Sequence, residues 1–522
     1  MYLQDINEGG FNLSLNGTYN PGQHFILEAS ISRVNRYGKF EPATEKGRTE
    51  VFYNNIVNRT WEGGPPISRD ASRYSTTGKM AGTVFLKDHT LNAGIEYKIN
   101  DVDFKLDLRR IDRSPFAYQE TIFKAFGEVS NHIPAFFIQD SWRVMRKLTL
   151  NAGIRWETQT IYATNGDIAQ KVSVPLQPRA GFVFIIDDKG TQRIFGSYGR
   201  FAQEFGIFNS LGNHSDNGYY GEIRYSNDPR PNFTGGDTLV FGQNIIRAEV
   251  EGLKGQYQDE FSIGYEILVG WNTRVSIQGL YRKLQEAIDD AYIASENRLQ
   301  FGNPGKGIFS EWPRPQREYT ALIISIERRL AERFNFLASY VLSRDYGNYE
   351  GLYNAFGHGA NPNHNFSFND LNTSRENTTG LLPNDRTHVF KFSGYYSFSF
   401  GLVAGISFIA QSGTFLSEYA EAERPYSRIK FLSQRGSAGR TPAIWDINAR
   451  LMYDLELLSS LQTRLIVDVF HIASQRQPVD IDQRQYLGFD TNGNPIIPNT
   501  TYGQAYSYQP LMSVRLGTEV SF

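Results

Sequence analysis

The sequence predicts an all-β fold, an antiparallel transmembrane β-barrel, and three observations lead to this prediction. Apolar and polar residues alternate along many stretches, each long enough to cross a bilayer at a tilt, which needs about 9–11 residues. The connections between these stretches are alternately tight turns and long polar segments. Aromatic residues make up 14% of the chain, as expected where aromatic girdles mark both membrane interfaces.

The clearest alternation lies in residues 136–157, FFIQDSWRVMRKLTLNAGIRWE, which predict two strands joined by a turn at 145–146. In the second strand Leu148 and Leu150 share one face, and Arg155 lies on the other. In a soluble sheet the apolar face would meet a core. In a membrane barrel it meets lipid, and the polar face lines a wet lumen.

The same alternation predicts about seventeen strands, and we interpret residues 1–522 as one barrel portion. The predicted strands are 11–19, 23–34, 78–87, 89–99, 133–143, 146–157, 176–186, 192–202, 257–268, 271–284, 318–330, 332–344, 386–398, 401–412, 443–455, 460–472 and 508–522. The long polar connections are 35–77, 100–132, 158–175, 203–256, 285–317, 345–385, 413–442 and 473–507. Loops of this length on one side and short turns on the other are typical of outer-membrane barrels, with extracellular loops and periplasmic turns.

Composition excludes several other classes of protein. No run of apolar residues reaches the roughly 18 that a helical membrane span needs. A formal net charge of −2 gives no reason to expect nucleic acid as a partner, and the lack of cysteine excludes disulfides and thiolate metal sites. The first residues lack the basic and apolar regions of a signal peptide, so we expect either a cytosolic protein or a mature or partial chain.

Four tryptophans lie near predicted strand ends, where aromatic side chains form membrane girdles, and stacking on a ligand is the alternative role. We expect a lipid-facing or girdle position for Trp142, Trp156, Trp271, Trp445, Leu148, Leu150, Val514 and Leu516. Stacking on a ligand is the better hypothesis for aromatic residues of the long segments, namely Tyr219, Tyr220, Tyr346, Tyr349 and Tyr353.

Charged residues of both signs fall on the predicted lumen face. We interpret them as a wall of ion pairs that is solvated or packed against a plug, and a specific substrate track is the alternative. The basic members are Arg155, Arg274, Arg282, Arg329, Arg450, Arg464 and Arg515, and the acidic ones are Glu157, Glu327, Asp446, Asp454, Asp468 and Glu519.

No motif for an enzyme, a cofactor or a metal stands out. The chain has no phosphate-binding loop, no H-E-x-x-H and no G-x-S-x-G, so we expect neither catalysis nor a bound cofactor. His358 and His364 could hold a metal, but solvated loop histidines are favoured. The stretch from Asp490 to Asn494 begins like a calcium loop and lacks the closing carboxylate, which favours an ordinary turn.

Several segments, in order, resemble the barrel of TonB-dependent receptors, with the Oar-like branch nearest. These are 136–157, LQPRAGFVFIIDDKGTQRIFGSYGRF (176–201), DRTHVFKFSGYYSF (385–398), VDVFHIAS (467–474) and the terminal Phe522, which the resemblance makes a signal for the barrel assembly machinery. The family implies a multi-pass protein in the lipid of a Gram-negative outer membrane. It also implies uptake powered by TonB with ExbB and ExbD, a plug domain inside the barrel and a TonB box.

Neither a plug nor a TonB box is recognisable in this chain, because residue 11 already begins a predicted strand. We therefore expect a C-terminal barrel portion, with the remainder absent or on a separate polypeptide. The nutrient class stays open among metal chelates, oligosaccharides, peptides and vitamins. The rival hypothesis is a barrel that does not transport and serves as a surface scaffold, adhesin or docking site for partner proteins.

Closure of the barrel gives a further expectation. With seventeen strands, the first and the last run in the same direction, whereas bacterial single-chain barrels have even strand numbers and antiparallel closure. An open edge in lipid would leave backbone N–H and C=O groups unpaired at several kcal/mol each. We expect an odd number of further strands, from before residue 11 or from another chain, and five would complete the roughly 22 of a plugged transporter.

Overall fold

The computed structural model describes residues 3–55, 60–65, 67–113, 117–206, 217–230, 232–243, 250–293, 298–328, 333–350, 376–422, 428–458, 461–473, 475–490 and 492–521. The elements up to residue 243 are β1 (Gln4–Gly22), β2 (Phe25–Pro42), the helix α1 (Glu45–Thr49), β3 (Phe52–Asn55), β4 (Thr60–Glu62), β5 (Ile67–Phe85), β6 (His89–Arg113), β7 (Tyr118–Met145), β8 (Leu148–Tyr162), β9 (Ile168–Ser173), β10 (Gln177–Ile185), β11 (Gln192–Ala202), β12 (Asn217–Tyr225) and β13 (Asp237–Gln243).

The elements after residue 250 continue the same pattern. They are β14 (Tyr257–Val269), β15 (Thr273–Glu286), β16 (Asp289–Ile293), β17 (Arg298–Gly302), a 3₁₀ turn at Gly307–Phe309, β18 (Arg317–Arg328), β19 (Phe334–Gly347), β20 (Gly380–Leu381), β21 (His388–Ser397), β22 (Leu402–Gln411), β23 (Tyr419–Ala422), β24 (Arg428–Phe431), β25 (Ile444–Leu458), β26 (Leu461–Phe470), β27 (Pro478–Ile481), β28 (Arg484–Phe489), β29 (Pro495–Pro498), β30 (Ala505–Tyr508) and β31 (Ser513–Ser521). Among the described residues, no helix is long and apolar enough to span a membrane.

Among the described residues, seventeen strands form the wall of the barrel, and each pairs antiparallel with the next. Their order is β1, β2, β5, β6, β7, β8, β10, β11, β14, β15, β18, β19, β21, β22, β25, β26 and β31. Each coincides with one of the seventeen predicted segments, so the predicted fold class is confirmed. Within the described residues β1 and β31 do not pair with each other, so the wall is not closed. How it is completed stays a prediction.

The register keeps the two faces of the wall consistent from strand to strand. Leu150 lies opposite both Trp142 and Phe182, while Arg155 lies opposite Phe137 and Gln177. Residues opposite one another in register point to the same side of a sheet. Once one side chain is assigned to a face, the register therefore assigns the residues opposite it on the neighbouring strands to the same face. The wall as a whole has one continuous outward surface and one continuous inward surface.

The wall is taller than the sequence predicted, because the segments 35–77 and 100–132, expected as loops, are largely strand. β6 has 25 residues and β7 has 28, and they stay paired from His89 opposite Trp142 up to Arg113 opposite Tyr118. The prediction was wrong here for a physical reason. Beyond Ile99 the alternation continues in the opposite phase, and a search for one uninterrupted pattern ends at that residue.

The reversal of phase is plain along β6. Below Ile99 the apolar residues Leu91 and Ile95 occupy the outward positions, whereas above it Val102 and Phe104 occupy the inward positions. Their outward neighbours above the reversal are polar, as at Asp103. An outward apolar face needs lipid, and an inward one needs a covering of protein. The reversal therefore marks the height at which the membrane ends.

The inward face above the reversal is indeed covered. Residues of β5 to β9 pack there against segments that cross the top of the wall, and twelve side chains form one buried apolar core: Ala71, Val102, Phe104, Ala125, Val129, Ile161, Ala169, Val172, Phe205, Leu253, Ile288 and Phe301. We call this region, residues 67–74, 100–113 and 118–131 with the segments packed on them, the extracellular extension. Segments that the sequence predicts as long loops thus contribute to a buried apolar core.

Two small sheets build the other side of the top of the wall. β23 lies between β24 and β28, and β29 completes this sheet, while β27 pairs with β30. Arg435 lies under the first sheet with its side chain fully buried, and its guanidinium forms an ion pair with Glu350. The same guanidinium donates to the carbonyl oxygens of Asn348 and Thr378 at 3.1 and 3.3 Å, which ties three separate segments together.

Candidate lumen wall and extracellular binding surface

Two clusters of aromatic and histidine side chains on the outward face bracket the apolar part of the wall. The inner belt consists of His89, whose ring stacks on Trp142 at 5.4 Å between centroids, and Asp140, whose carboxylate lies 2.7 Å from His89 Nδ1. It lies beside the short turns. The outer belt includes Tyr97, whose hydroxyl lies 2.8 Å from His132 Nδ1. These amphipathic side chains suit the interfaces of a membrane, where one end of a ring is apolar and the other wet.

The distance between the belts fits a bilayer. Ile99, which lies opposite His132, is ten residue steps beyond His89, and a rise of about 3.3 Å per residue gives roughly 33 Å along the strand. At a tilt of about 40° this becomes roughly 25 Å, the height of the apolar band of an outer-membrane barrel. Large apolar side chains are exposed outward between the belts, among them Leu13, Leu15, Ile31, Ile95, Ile138, Ile263, Ile277, Ile406, Leu451 and Leu465.

The predicted lipid-facing residues lie in β-strands or turns of this wall. Trp142 belongs to the inner belt, and Trp271 lies in the turn after β14 with 84% of its surface exposed. The other predicted members with large exposed surfaces are Trp156, Val514 and Leu516, while Leu148, Leu150 and Trp445 are half-buried. Their contact with lipid stays a prediction. Phe522 lies outside the described residues.

The inward face between the belts carries ion pairs. Arg155 donates to Glu96 at 2.9 Å and to Glu157 at 2.8 Å, and Arg193 pairs with Glu266 at 2.9 Å. Arg193 and Glu266 lie opposite each other on adjacent strands, and Glu157 is the next inward position after Arg155 on β8. Glu96 lies on β6, two strands from Arg155, with the short side chain of Ala135 on β7 between Glu96 and Glu157. The lumen side of the wall is therefore charged but largely neutralised by its own residues.

The same arrangement recurs at the far end of the sheet. Asp468 is 2% exposed and accepts hydrogen bonds from both Arg450, at 2.5 Å, and Arg515, at 2.7 Å. Arg464 lies 2.6 Å from Asp454. Further predicted members form the pairs Arg282 with Glu260, Arg274 with Glu266, Asp446 with His471 and Arg464 with Glu519. Arg329 lies outside the described residues.

The tyrosines predicted to stack on a ligand differ in how exposed they are and in whether the structure describes them. Tyr349 is 3% exposed, and its hydroxyl donates to Asp289 at 2.7 Å within a core that also holds Phe309 and Trp312. Its ring is packed against protein and is not accessible for stacking in this structure. Tyr346 is half-buried, with the Arg344 guanidinium 4.7 Å from its ring centroid. β12 contains Tyr219 and Tyr220, whose side chains, like all of Tyr353, lie outside the described residues, as do His358 and His364.

A second buried polar cluster lies beneath the small sheets, outside the membrane. Asp482 accepts hydrogen bonds from the Arg484 guanidinium at 3.0 Å, the Asn499 amide at 3.0 Å and the Thr501 hydroxyl at 2.7 Å. Burial alone would raise the pKa of Asp482, but these donors outweigh it and hold the pKa at about 2. The cluster fixes the segments 480–484 and 499–501 to one another. Asp490 accepts backbone hydrogen bonds from Asn492 and Asn494 within a tight turn.

Sequence reasoning missed a cavity at the top of β1, β2 and β5. Its volume is about 640 Å³, and its lining includes Arg36, Arg69, Arg73 and Glu8. In register, Arg36 lies opposite Gly10 on one side and Arg73 on the other. We call this site the arginine pocket. The arginines are far apart in sequence, so only the strand register brings them together.

Small residues create the space of the arginine pocket. The next inward position up is Gly38, which lies opposite Glu8 and Ala71. Above it, Arg69 lies with its guanidinium 4.4 Å from the ring centroid of Phe40. Gly38 and Ala71 therefore lie as short residues between Arg36 and Arg73 below and Phe40 and Arg69 above, which leaves a depression in the sheet surface.

The three arginines of the pocket lie beyond the outer belt and close enough to affect one another. Arg73 pairs with Val102, above the phase reversal at Ile99. Burial, and then the positive charges of Arg69 and Arg36, lower the pKa of Arg73. The guanidinium groups of Arg69 and Arg36 thus repel that of Arg73.

Comparison with known proteins agrees with this architecture. Residues 103–174 match a family model described as an outer membrane beta barrel domain. The TonB-dependent transporter Oar of Myxococcus xanthus is 28% identical over 406 residues, which cover 70% of this chain and 38% of that protein. The chain thus spans little more than a third of the length of this relative.

Solved structures share the fold. The outer membrane transporter YddB from Escherichia coli superposes with a TM-score of 0.59 at 11% identity, over 99% of this chain and 63% of that one. The siderophore receptor PiuA from Acinetobacter baumannii gives 0.55 at 10% identity, over 99% and 64%. With its outward apolar band, its belts and these matches, the chain is an outer-membrane β-barrel that is similar to the TonB-dependent transporters.

Proposed function

We propose that this chain forms the wall of a receptor that takes up a nutrient across the outer membrane, with energy delivered through TonB, ExbB and ExbD. The observation that carries the proposal is the ion-paired inward face of a wall of seventeen strands. Barrels of about eight strands fill their interior with side chains, whereas much wider ones enclose a channel or a plug. A charged inward surface such as Arg155 with Glu96 and Glu157 requires water or polar protein beside it.

The extracellular extension supports a receptor role. Its packed core gives the top of the wall a defined surface, and defined surfaces bind small molecules better than disordered loops because less ordering is lost on binding. The relatives named above are transporters and a receptor. The nutrient class stays open, since the siderophore of PiuA's title belongs to that protein.

The rival proposal is a surface scaffold that does not transport. The sheet of β23, β24, β28 and β29 favours it, because a folded unit at the top of the wall also suits docking of a partner protein. The two proposals differ in their need for energy. Uptake depends on TonB, whereas docking does not.

Growth under nutrient limitation tests the proposal. Strains lacking the gene that encodes this chain, lacking TonB, or lacking both would be grown with a ferric chelate, cobalamin, an oligosaccharide or a peptide mixture as the limiting nutrient. We expect one nutrient for which both single deletions grow equally poorly and the double deletion grows no worse. Normal growth of the gene deletion on every nutrient, with loss of a surface-bound protein instead, would favour the scaffold.

A further inference from the structure

The arginine pocket differs from the ion-paired arginines of the inward face. Arg155, Arg193 and Arg450 each lie within 3 Å of a carboxylate. Among the described residues, neither Arg36 nor Arg69 forms an ion pair, and Arg69 Nε is buried without a hydrogen-bond acceptor. A buried N–H without an acceptor is costly, and in the part of the chain that the structure describes Arg36 and Arg69 lack the carboxylate that Arg155 and Arg450 have on the same face.

The charge of the pocket is positive. Three guanidinium groups face one carboxylate, that of Glu8, which lies over Gly38 at the side of β1. Guanidinium groups present fixed forks of N–H donors that match the oxygens of a carboxylate or a phosphate. Phe40 beneath Arg69 holds that guanidinium by stacking and limits its rotation.

The size and height of the pocket favour a small ligand arriving from outside. A volume of about 640 Å³ lies within the range of small-molecule sites, roughly 300–1,000 Å³. Arg73 and Arg69 lie three and seven residues beyond the level of Ile99, or roughly 10 and 23 Å along the strand at about 3.3 Å per residue. Because the pocket is on the inward face, the lipid outside the wall does not reach it.

We propose that Arg36, Arg69 and Arg73 bind a small molecule that carries two or more carboxylate or phosphate groups. The ligand's oxyanions occupy the space over Gly10, Gly38 and Ala71 and relieve the repulsion between the guanidinium groups. Glu8 faces the remaining side of the ligand and accepts a hydrogen bond from a hydroxyl or amine there. This inference deepens the proposed uptake function by naming the class of substrate.

Calorimetric titration of the full-length protein in detergent tests the proposal, with citrate as the probe and glycerol as the neutral comparison. The variant R36Q/R73Q removes two positive charges from the pocket. The matched control is R33Q, because Arg33 lies on the same strand but on the opposite face, 5.1 Å over the ring of Tyr74. Heat-modifiable migration on gels verifies that each variant is folded.

We expect citrate to bind the wild type and R33Q with similar affinity and to bind R36Q/R73Q at least about tenfold more weakly, since each charge-assisted hydrogen bond contributes about that factor. R36K/R73K, which keeps the charge and loses the forked geometry, should lie between. Failure of the wild type to bind citrate, or equal binding by R36Q/R73Q, would overturn the proposal.

This measurement separates the inference from the uptake proposal, because equilibrium binding needs no TonB. Citrate binding that depends on Arg36 and Arg73, in a protein whose deletion affects no nutrient, would leave the pocket standing and remove the transport role. TonB-dependent uptake, together with citrate binding that R36Q/R73Q does not change, would support the transport role and overturn the proposed ligand site.

Discussion

The part of the wall between the belts and the extracellular extension above it are built from the same strands with opposite patterns. In β6, Ile95 faces outward and Glu96 inward below the reversal, whereas Asp103 faces outward and Phe104 inward above it. Below, lipid surrounds a wet interior. Above, water surrounds a packed core. The face of a strand that carries the apolar residues thus shows which side is shielded from water. In β6 that face changes from the outward side to the inward side along the strand.

The largest expected effect concerns the buried ion pair of the top region. Arg435→Met leaves the Glu350 carboxylate buried without its partner, which should cost about 3–5 kcal/mol of local stability. Arg146→Met, in an exposed pair with Asp188 at a short turn, should cost less than about 1 kcal/mol. Hydrogen exchange in β23 and β24 measures the first effect. Equal protection in both variants would mean that the small sheets do not depend on Arg435.

The core of the extension can be compared with the lipid-facing surface on a single strand. Ile161 is fully buried in that core, and Ile154 on β8 is outward and 37% exposed. Ile161→Ala should cost about 2–5 kcal/mol, since it opens a cavity between packed side chains, and Ile154→Ala clearly less, because lipid chains refill the space. Denaturant unfolding of the full-length protein in lipid vesicles measures both. A smaller cost at Ile161 would show that the extension is loosely packed.

The two faces below the reversal differ in their tolerance of charge. Ile406 faces outward between the belts and Ser407, its neighbour, faces inward. Ile406→Arg should destabilise the barrel by about 2–4 kcal/mol because the charge enters lipid, whereas Ser407→Arg enters the lumen. The same vesicle measurement applies. A greater cost for Ser407→Arg would reverse the assignment of the faces.

The smallest effect is a dependence on pH that belongs to the top region alone. The pKa of Asp482 is about 2 in the folded protein against an ordinary value of 3.8, so its contribution to stability is complete above about pH 4 and is lost as the pH falls toward 2. Protease resistance of residues 478–508 should decline over that window, and Asp482→Asn should remove the dependence. An unchanged pH profile in Asp482→Asn would assign the transition to other groups.

Most of the wall was predictable because each strand between the belts has one face toward lipid and one toward water. This difference appears in the sequence as a regular alternation of apolar and polar residues. The extension was missed although its signal is present: Val102, Phe104 and Leu106 alternate with charged residues just after Ile99. Allowing the phase to invert would have found it. The arginine pocket was beyond prediction, because Arg36 and Arg73 meet only through the register of β2 and β5. Likewise, nothing local indicates that Tyr349 is buried by Phe309 and Trp312.

One pairing has a consequence for the order in which the wall forms. Above the end of β8, the free edge of β7 is taken by β12, so that Phe126 lies opposite Asn217. The other neighbours of β7, β6 and β8, are only a few residues from it along the chain and can form hairpins with it as soon as the chain emerges. β12 must instead close a long loop, whose entropic cost delays it. We expect β12 to dock last, so that until then the upper edge of β7 remains open to pairing with another chain.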